Sequence, residues 1–335
     1  MTDAPPSLPT IQAALTRLAP FVRRTPVWEW PDDLWANELV RGTSVVLKLE
    51  LFQHSGTFKA RGALLNLLSL TADQLRRGVT AVSAGNHAAA VAFAAAALGA
   101  KAKVVMARTA SPARVELCRW YGAEVVFAEN TEEAFAKVKD IEVSEGRAFV
   151  HPFEGPVTAT GTATLGLEFC QQVDNLDAVV VPVGGGGLIA GVAAAVKQLN
   201  PSCRVYGVEP RGNDVIKRSL ASGQPEKAGP VATIADSLSP PYALPYSLGL
   251  VQTYVDDIVL VSDDELLASL YLLFQRAKLA VEPAGAATTA GLIGPLRELL
   301  GGQRVGLVVC GANIDAERYG DLLQQGKRQW LAKAS

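Results

Sequence analysis

Two segments of this chain could do chemistry by residue type and spacing. Lys59 follows a Ser55-Gly56-Thr57 turn and Phe58, where an alanine- and leucine-rich helical segment begins. A lysine set against apolar surface loses solvation as a cation. Its pKa falls, and it becomes a nucleophile able to form a Schiff base. The plainer alternative is a helix-start lysine whose stem lies on the surface and whose ammonium reaches water. The second segment is Val181-Pro182-Val183 running into Gly184, Gly185, Gly186 and Gly187 and then Leu188-Ile189. Without side chains the backbone can wrap an anion, and a helix N-terminus adds unpaired N–H groups and a favourable dipole. This is a phosphate cup, with a purely structural turn as its alternative. The dinucleotide spacing G-x-G-x-x-G is not met, because the sixth position counted from Gly184 is Ile189. Glu209 does end the next strand-like run, about where a dinucleotide fold keeps its ribose-binding acid. A nicotinamide-dependent oxidoreductase is therefore a second class of reading.

Two further segments have the same strand-to-turn character. Ser83-Ala84-Gly85-Asn86-His87 opens a helical segment, where Ser83 and Asn86 can cap and the exposed N–H groups could receive a carboxylate. Cys310-Gly311-Ala312-Asn313 ends an apolar run. A cysteine there is core filler, or a weak neutral partner for a heteroatom. Strand ends are where ligands bind in an open α/β sheet.

The elements that must position these residues alternate along the chain. Strand-like runs are Ser44–Leu49, Val79–Val82, Lys103–Met106, Glu124–Phe127, Ala178–Val183, Arg204–Glu209, Asp257–Val261 and Arg304–Cys310. Helix-like segments are Lys59–Leu68, His87–Leu98, Pro112–Tyr121, Glu132–Glu145, Thr162–Val173, Leu188–Leu199, Asp263–Lys278 and Gly285–Leu300. Such alternation predicts an α/β protein whose parallel sheet is flanked by helices, with Val179–Val183 and Val305–Val309 as central strands. Arg211 to Tyr254, rich in glycine, proline and serine, reads as long surface connections.

A chain of 335 residues allows about two domains. A net charge of -2 with no basic run offers nothing to nucleic acid or anionic lipid. Four scattered cysteines without metal spacing read as reduced thiols. No signal peptide and no membrane-length apolar run is visible, so a cytoplasmic protein is expected.

Taken together, the segments Gln53–Gly62, Ser83–His87, Gly184–Gly187 and Cys310–Asn313 resemble the fold-type II pyridoxal-phosphate enzymes, most closely their threonine/serine dehydratase branch. The resemblance runs from about Thr25 to Asn313. It implies a two-lobed α/β fold of the tryptophan synthase beta type. Residues 1–73 and 151–335 would form a large cofactor-binding domain and residues 74–150 a small mobile one. It implies pyridoxal 5'-phosphate as cofactor, with Lys59 forming the Schiff base and moving protons at the substrate alpha carbon. Phe58 would pack on the cofactor ring and Asn86 would bond its phenolic oxygen. Gly184, Gly185, Gly186 and Gly187 would hold its phosphate, and Cys310 would stand beside the pyridine nitrogen. Ser83, Ala84, Gly85, Asn86 and His87 would receive the carboxylate of an amino-acid substrate. A β-hydroxy amino acid such as L-threonine or L-serine would become a 2-oxo acid and ammonia.

Some positions narrow the resemblance. Ala84 stands where the family's serine racemases carry a serine that returns a proton from the opposite face, which favours elimination over racemisation. A racemase or β-replacement enzyme is the alternative on this scaffold. In the family's cation site Glu209 matches, but the later acidic position is Val215, with Asp214 beside it; no metal is expected. Residues touching the β-substituent would lie in Phe153–Gly155 and Ile234–Tyr242. A homodimer is expected, with only a short polar tail after Asn313.

Overall fold

The structure, a computed structural model, describes residues 4–31, 38–83 and 85–334. It contains two sheets. The six-stranded sheet has the order β1-β2-β10-β7-β8-β9, from β1 (Val27–Trp30), β2 (Ser44–Leu49), β7 (Ala178–Pro182), β8 (Arg204–Pro210), β9 (Asp257–Val261) and β10 (Arg304–Val309). β1 pairs antiparallel with β2; the other pairings are parallel. The four-stranded sheet is parallel, in the order β5-β4-β3-β6, from β3 (Val79–Val82), β4 (Ala102–Ala107), β5 (Glu124–Ala128) and β6 (Ala148–Phe149). Val179, Val180, Val181, Val305, Leu307, Val308 and Val309 are fully buried, which is why these central strands are apolar on successive residues rather than alternating.

The expected strands and helices form, with shifted ends. The helix expected from Thr162 starts at Pro156, where proline suits a first turn. The one expected over Gly285–Leu300 runs Pro283–Ile293, because Gly294-Pro295 follows and proline cannot continue a helix. Asp263–Leu272 is α-helical and passes into a π turn, Leu273–Ala277, closed by Lys278 at φ 59°.

Two expectations are corrected. The Arg211–Tyr254 stretch is not only connection: it contains helices Val215–Ser222 and Pro245–Tyr254. Both begin on carboxylates from elsewhere in the chain. Glu209 accepts the N–H groups of Ile216 at 2.9 Å and Lys217 at 2.8 Å, and Glu154 accepts those of Tyr246 at 2.7 Å and Ser247 at 3.1 Å. Glu154 reaches Tyr246 across 92 positions and Glu209 lies seven residues ahead of Ile216, so neither stands at the usual capping position. The polar tail is a 19-residue helix, Ala316–Ala334, packed on the helix Asp263–Leu272. Its core-facing stripe of Tyr319, Leu322, Leu323 and Trp330 is narrow, so its composition looks like a tail.

What matters for function is where the chain leaves its strands. Ser83 follows β3, Gly184 lies just past β7 and Cys310 follows β10, so the carboxyl ends of strands from both sheets meet at one cavity.

Candidate active site

The cavity has a volume of about 290 Å³. Phe58, Lys59, Ser83, Gly85, Asn86, His87, Gly184, Gly185, Gly186, Gly187 and Cys310 all line it. Every site residue expected from sequence is therefore brought to one place except Ala84, which lies outside the described residues.

Lys59 is the second residue after the extended Thr57, whose register is fixed across the end of β10. Phe58 N–H bonds Cys310 O at 3.1 Å, and Ala312 N–H bonds Gly56 O at 3.1 Å. The Lys59 Nζ donates to Pro152 O at 2.9 Å and stands 5.0 Å from the centre of the Phe58 ring. Burial lowers its pKa to about 8, with Glu282 partly offsetting that. About a tenth of Lys59 is then neutral amine at pH 7, far more than for a solvated lysine. Burial, then Glu282, holds the Cys310 thiol well above its usual range, so it is neutral.

Gly185 and Gly186 show why this loop is glycine. A Cβ on Gly185 would come within 2.3 Å of the Phe153 ring, and Gly186 has φ +85°. Gly187 then opens the helix Gly187–Leu199, whose first N–H groups have no partner within the helix.

Asn86 does not cap. It is the first residue of the helix Asn86–Ala97, Gly85 is the N-cap, and no side chain bonds that end. The Ser83 hydroxyl instead accepts from Gly85 N–H at 3.0 Å. Asn86 Nδ2 donates to Glu282 at 2.6 Å and its Oδ1 accepts from Asn313 at 2.7 Å, which fixes which end of the amide is which. Arg114 joins this group. Its Nε donates to Asn313 O at 3.0 Å, and its guanidinium pairs with Asp236 and lies 3.5 Å from Glu282. Burial raises the Glu282 carboxyl, and Arg114 pulls it back. Two imidazoles flank the lysine. Burial, then the neighbouring Lys59 charge, pushes His87 down to about 3 and His151 down to about 4, so both are neutral. His87 Nε2 bonds Val150 O at 2.8 Å, while His151 Nδ1 accepts from the Phe153 and Glu154 N–H groups.

These donors suit a phosphorylated aldehyde: a partly neutral buried amine, a glycine cradle at a helix N-terminus, and a neutral thiol across the cavity. The comparisons agree. Residues 18–311 match the family model described as pyridoxal-phosphate dependent enzyme. The chain belongs to that family. It is 56% identical to phenylserine dehydratase of Ralstonia pickettii over 95% of this chain and 96% of that one. It is 39% identical to the catabolic L-threonine dehydratase of Escherichia coli K12, over 96% and 97%. Among solved structures, maize serine racemase superposes with a TM-score of 0.89 at 32% identity, covering 99% of this chain and all of that one. Membership in the pyridoxal-phosphate family removes the nicotinamide alternative, and Glu209 has a different job, capping Val215–Ser222.

Glu282, Arg114, His151 and Phe135 were not anticipated, while Asp236 falls in the Ile234–Tyr242 stretch expected near the β-substituent and pairs with Arg114. Glu282 had a signal, one acid inside the apolar run Leu279–Ala287. Arg114 had none, because its pairing with Asp236 spans 122 positions of sequence.

Proposed function

We propose that this pyridoxal-phosphate enzyme is a dehydratase of β-hydroxy amino acids whose preferred substrates carry an aromatic β-substituent, as phenylserine does. The observation that carries the reading is a cluster of rings at the cavity. Phe135 and Phe153 line it, and Tyr242 packs against both from behind the lining, with ring centres 6.2 Å from Phe135 and 6.3 Å from Phe153. Val105, Ala107 and Ala134 extend the same apolar wall. Edge and tilted ring pairs at these distances suit an incoming phenyl group. Phe153 and Tyr242 fall in the segments expected to meet the substituent; Phe135, on the helix Thr131–Glu145, adds the opposite side.

When bound, pyridoxal phosphate supplies the electron sink for the substrate's alpha carbon. Lys59 Nζ would take the alpha proton and Phe58 would pack on the ring. Gly184–Gly187 would hold the phosphate, the Asn86 amide would serve the phenolic oxygen, and Cys310 would offer the ring nitrogen a neutral neighbour. The Ser83–His87 turn, with Ala84 carried over from the resemblance alone, receives the carboxylate. Loss of the β-hydroxyl and hydrolysis give a 2-oxo acid and ammonia. Residues 74–150 move as a small domain that closes on residues 1–73 and 151–335 and excludes water. The four cysteines are free thiols, which supports a cytoplasmic setting, and we assign a homodimer in solution.

The test is a 2-oxo acid assay over phenylserine, threonine and serine. Phenylserine is expected to give the highest kcat/KM, and Phe135→Leu to lower it about tenfold relative to threonine. Equal loss on both substrates would overturn the aromatic assignment. Sedimentation of the holoenzyme at the mass of one chain would overturn the dimer.

A further inference from the structure

A second, smaller cavity lies between the first turn of the Lys59 helix and the helix Pro156–Gln172. It shares most of its wall with the active site, including Lys59, His87, Pro152 and Gly187, and is otherwise walled by Gly62, Ala63, His151, Thr158 and Thr162. It leaves about 20 Å³ open to the centre of a water molecule. One water needs roughly 10–15 Å³ by that measure, together with two to four polar partners.

The polar inventory of the walls meets that need. The Lys59 ammonium has three protons, and Pro152 O takes one of them. The Thr158 hydroxyl accepts from Asn66 Nδ2 at 3.1 Å, leaving its own proton to donate. Thr162 Oγ1 donates to Gly187 O at 2.7 Å, leaving its lone pairs to accept. His151 uses Nδ1 as an acceptor, so its proton is on Nε2. Both imidazoles are neutral and set no second cation against the lysine.

We propose that this chamber binds one water molecule, and that the water solvates Lys59 as an ammonium while it carries the substrate's alpha proton. The role rests on reading Lys59 as the base. As a neutral amine Lys59 needs few hydrogen bonds. Once it has taken the alpha proton it is a buried cation with one carbonyl partner, and a water accepting a second N–H makes the proton easier to hold. The proton stays on Nζ until the β-hydroxyl leaves, so the water itself undergoes no bond change.

The chamber can be filled without disturbing its walls. A Cβ on Gly62 would meet Thr158 Cγ2 and Thr158 O at 3.6 Å, which is ordinary contact. Gly62 also lies inside a helix, where alanine is favoured. Gly62→Ala therefore puts a methyl against the water's place in a protein at least as stable. Thr158→Val removes one polar partner at constant volume. The readout in apo protein is the pH midpoint of Lys59's reaction with pyridoxal phosphate, followed by the visible band. Loss of one net hydrogen bond to the ammonium should raise its acid dissociation constant roughly 3- to 10-fold, moving the midpoint to lower pH. In the holoenzyme kcat should fall by a similar factor with KM unchanged. Wild-type midpoints in both variants, or a shift to higher pH, would overturn the proposal. If the wild-type enzyme deaminates no hydroxy amino acid, the dehydratase reading fails, while the apo midpoint still decides the water.

Discussion

Lys48 and Lys59 are both buried lysines, and they face different surroundings. Lys48, fully buried in β2, donates to Glu168 at 2.6 Å, Gln172 at 2.6 Å and Thr25 O at 2.8 Å, so each of its protons has an acceptor. Arg61 completes the cluster with a two-point pair to Glu50, at 2.9 and 2.8 Å, and bonds to Glu168. Two cations and two carboxylates cancel there. Lys59 has one carbonyl and an aromatic face. Burial pushes both lysines down, but at Lys48 the carboxylates of Glu50 and Glu168 oppose it, while Lys59 comes down to about 8. Burial alone therefore does not make a nucleophile. A buried lysine left short of partners loses its proton more readily, and a buried lysine with a full set becomes a brace. The brace supports Lys59, because Arg61 lies in the first turn of the Lys59 helix and Glu168 lies on the helix that follows Pro152.

The largest expected effect comes from removing the underpartnered lysine. Lys59→Ala should abolish the visible band of lysine-bound cofactor and lower activity by about 10³-fold or more. Urea unfolding of the apo variant should show no loss of stability. The reverse pattern is expected of Lys48→Met. It leaves two buried carboxylates facing Arg61 alone, and breaking one side of a buried ionic cluster costs about 3–5 kcal/mol. Variant that folds should still form the visible band. A Lys48→Met protein of wild-type stability would break the comparison.

The lysines should also differ in pH response. Lys59's folded pKa of about 8 lies below the ordinary 10.5. Apo protein should react with pyridoxal phosphate with a midpoint near pH 8; a midpoint near 10 would refute the account. The same depression has a stability consequence. Below pH 8 Lys59 is protonated folded or unfolded, so its burial penalty is present in full. Between pH 8 and 10.5 the unfolded chain holds the extra proton, so apo stability gains from Lys59 as pH rises through that window. Urea titrations of wild type and Lys59→Ala across it isolate the contribution.

The sequence made the reactive lysine legible and the brace illegible. Lys59 sits in a local pattern of turn, aromatic residue and helix start, and the glycine cup and both strand-end turns are local as well. Lys48 looks like any lysine in an apolar strand, since its acceptors come from Thr25, Glu168 and Gln172, far apart in the chain. The pairing of Arg114 with Asp236 escaped notice for the same reason. The helix Val215–Ser222 was hidden because its cap is Glu209, and the terminal helix because its apolar stripe is thin. Contacts made by neighbours along the chain could be read; contacts assembled by the fold could not.

Thr25→Val gives the smallest and most selective expected change. The Thr25 hydroxyl donates to Glu50 Oε1 at 2.5 Å, and valine has nearly the same shape without the donor. Glu50 keeps both Arg61 bonds, Lys48 keeps the Thr25 carbonyl, and the Thr25 N–H keeps Glu168 at 3.0 Å. The cluster loses the hydroxyl's bond to Glu50 and its longer 3.4 Å contact with Glu168 but no charge, which costs about 1.5 kcal/mol. The pH midpoint of Lys59's reaction should stay where it is in wild type, because nothing Lys59 touches has changed. A lower urea midpoint with an unmoved reaction midpoint would separate brace from nucleophile. Movement of both together would mean that the cluster sets Lys59's basicity as well as its position.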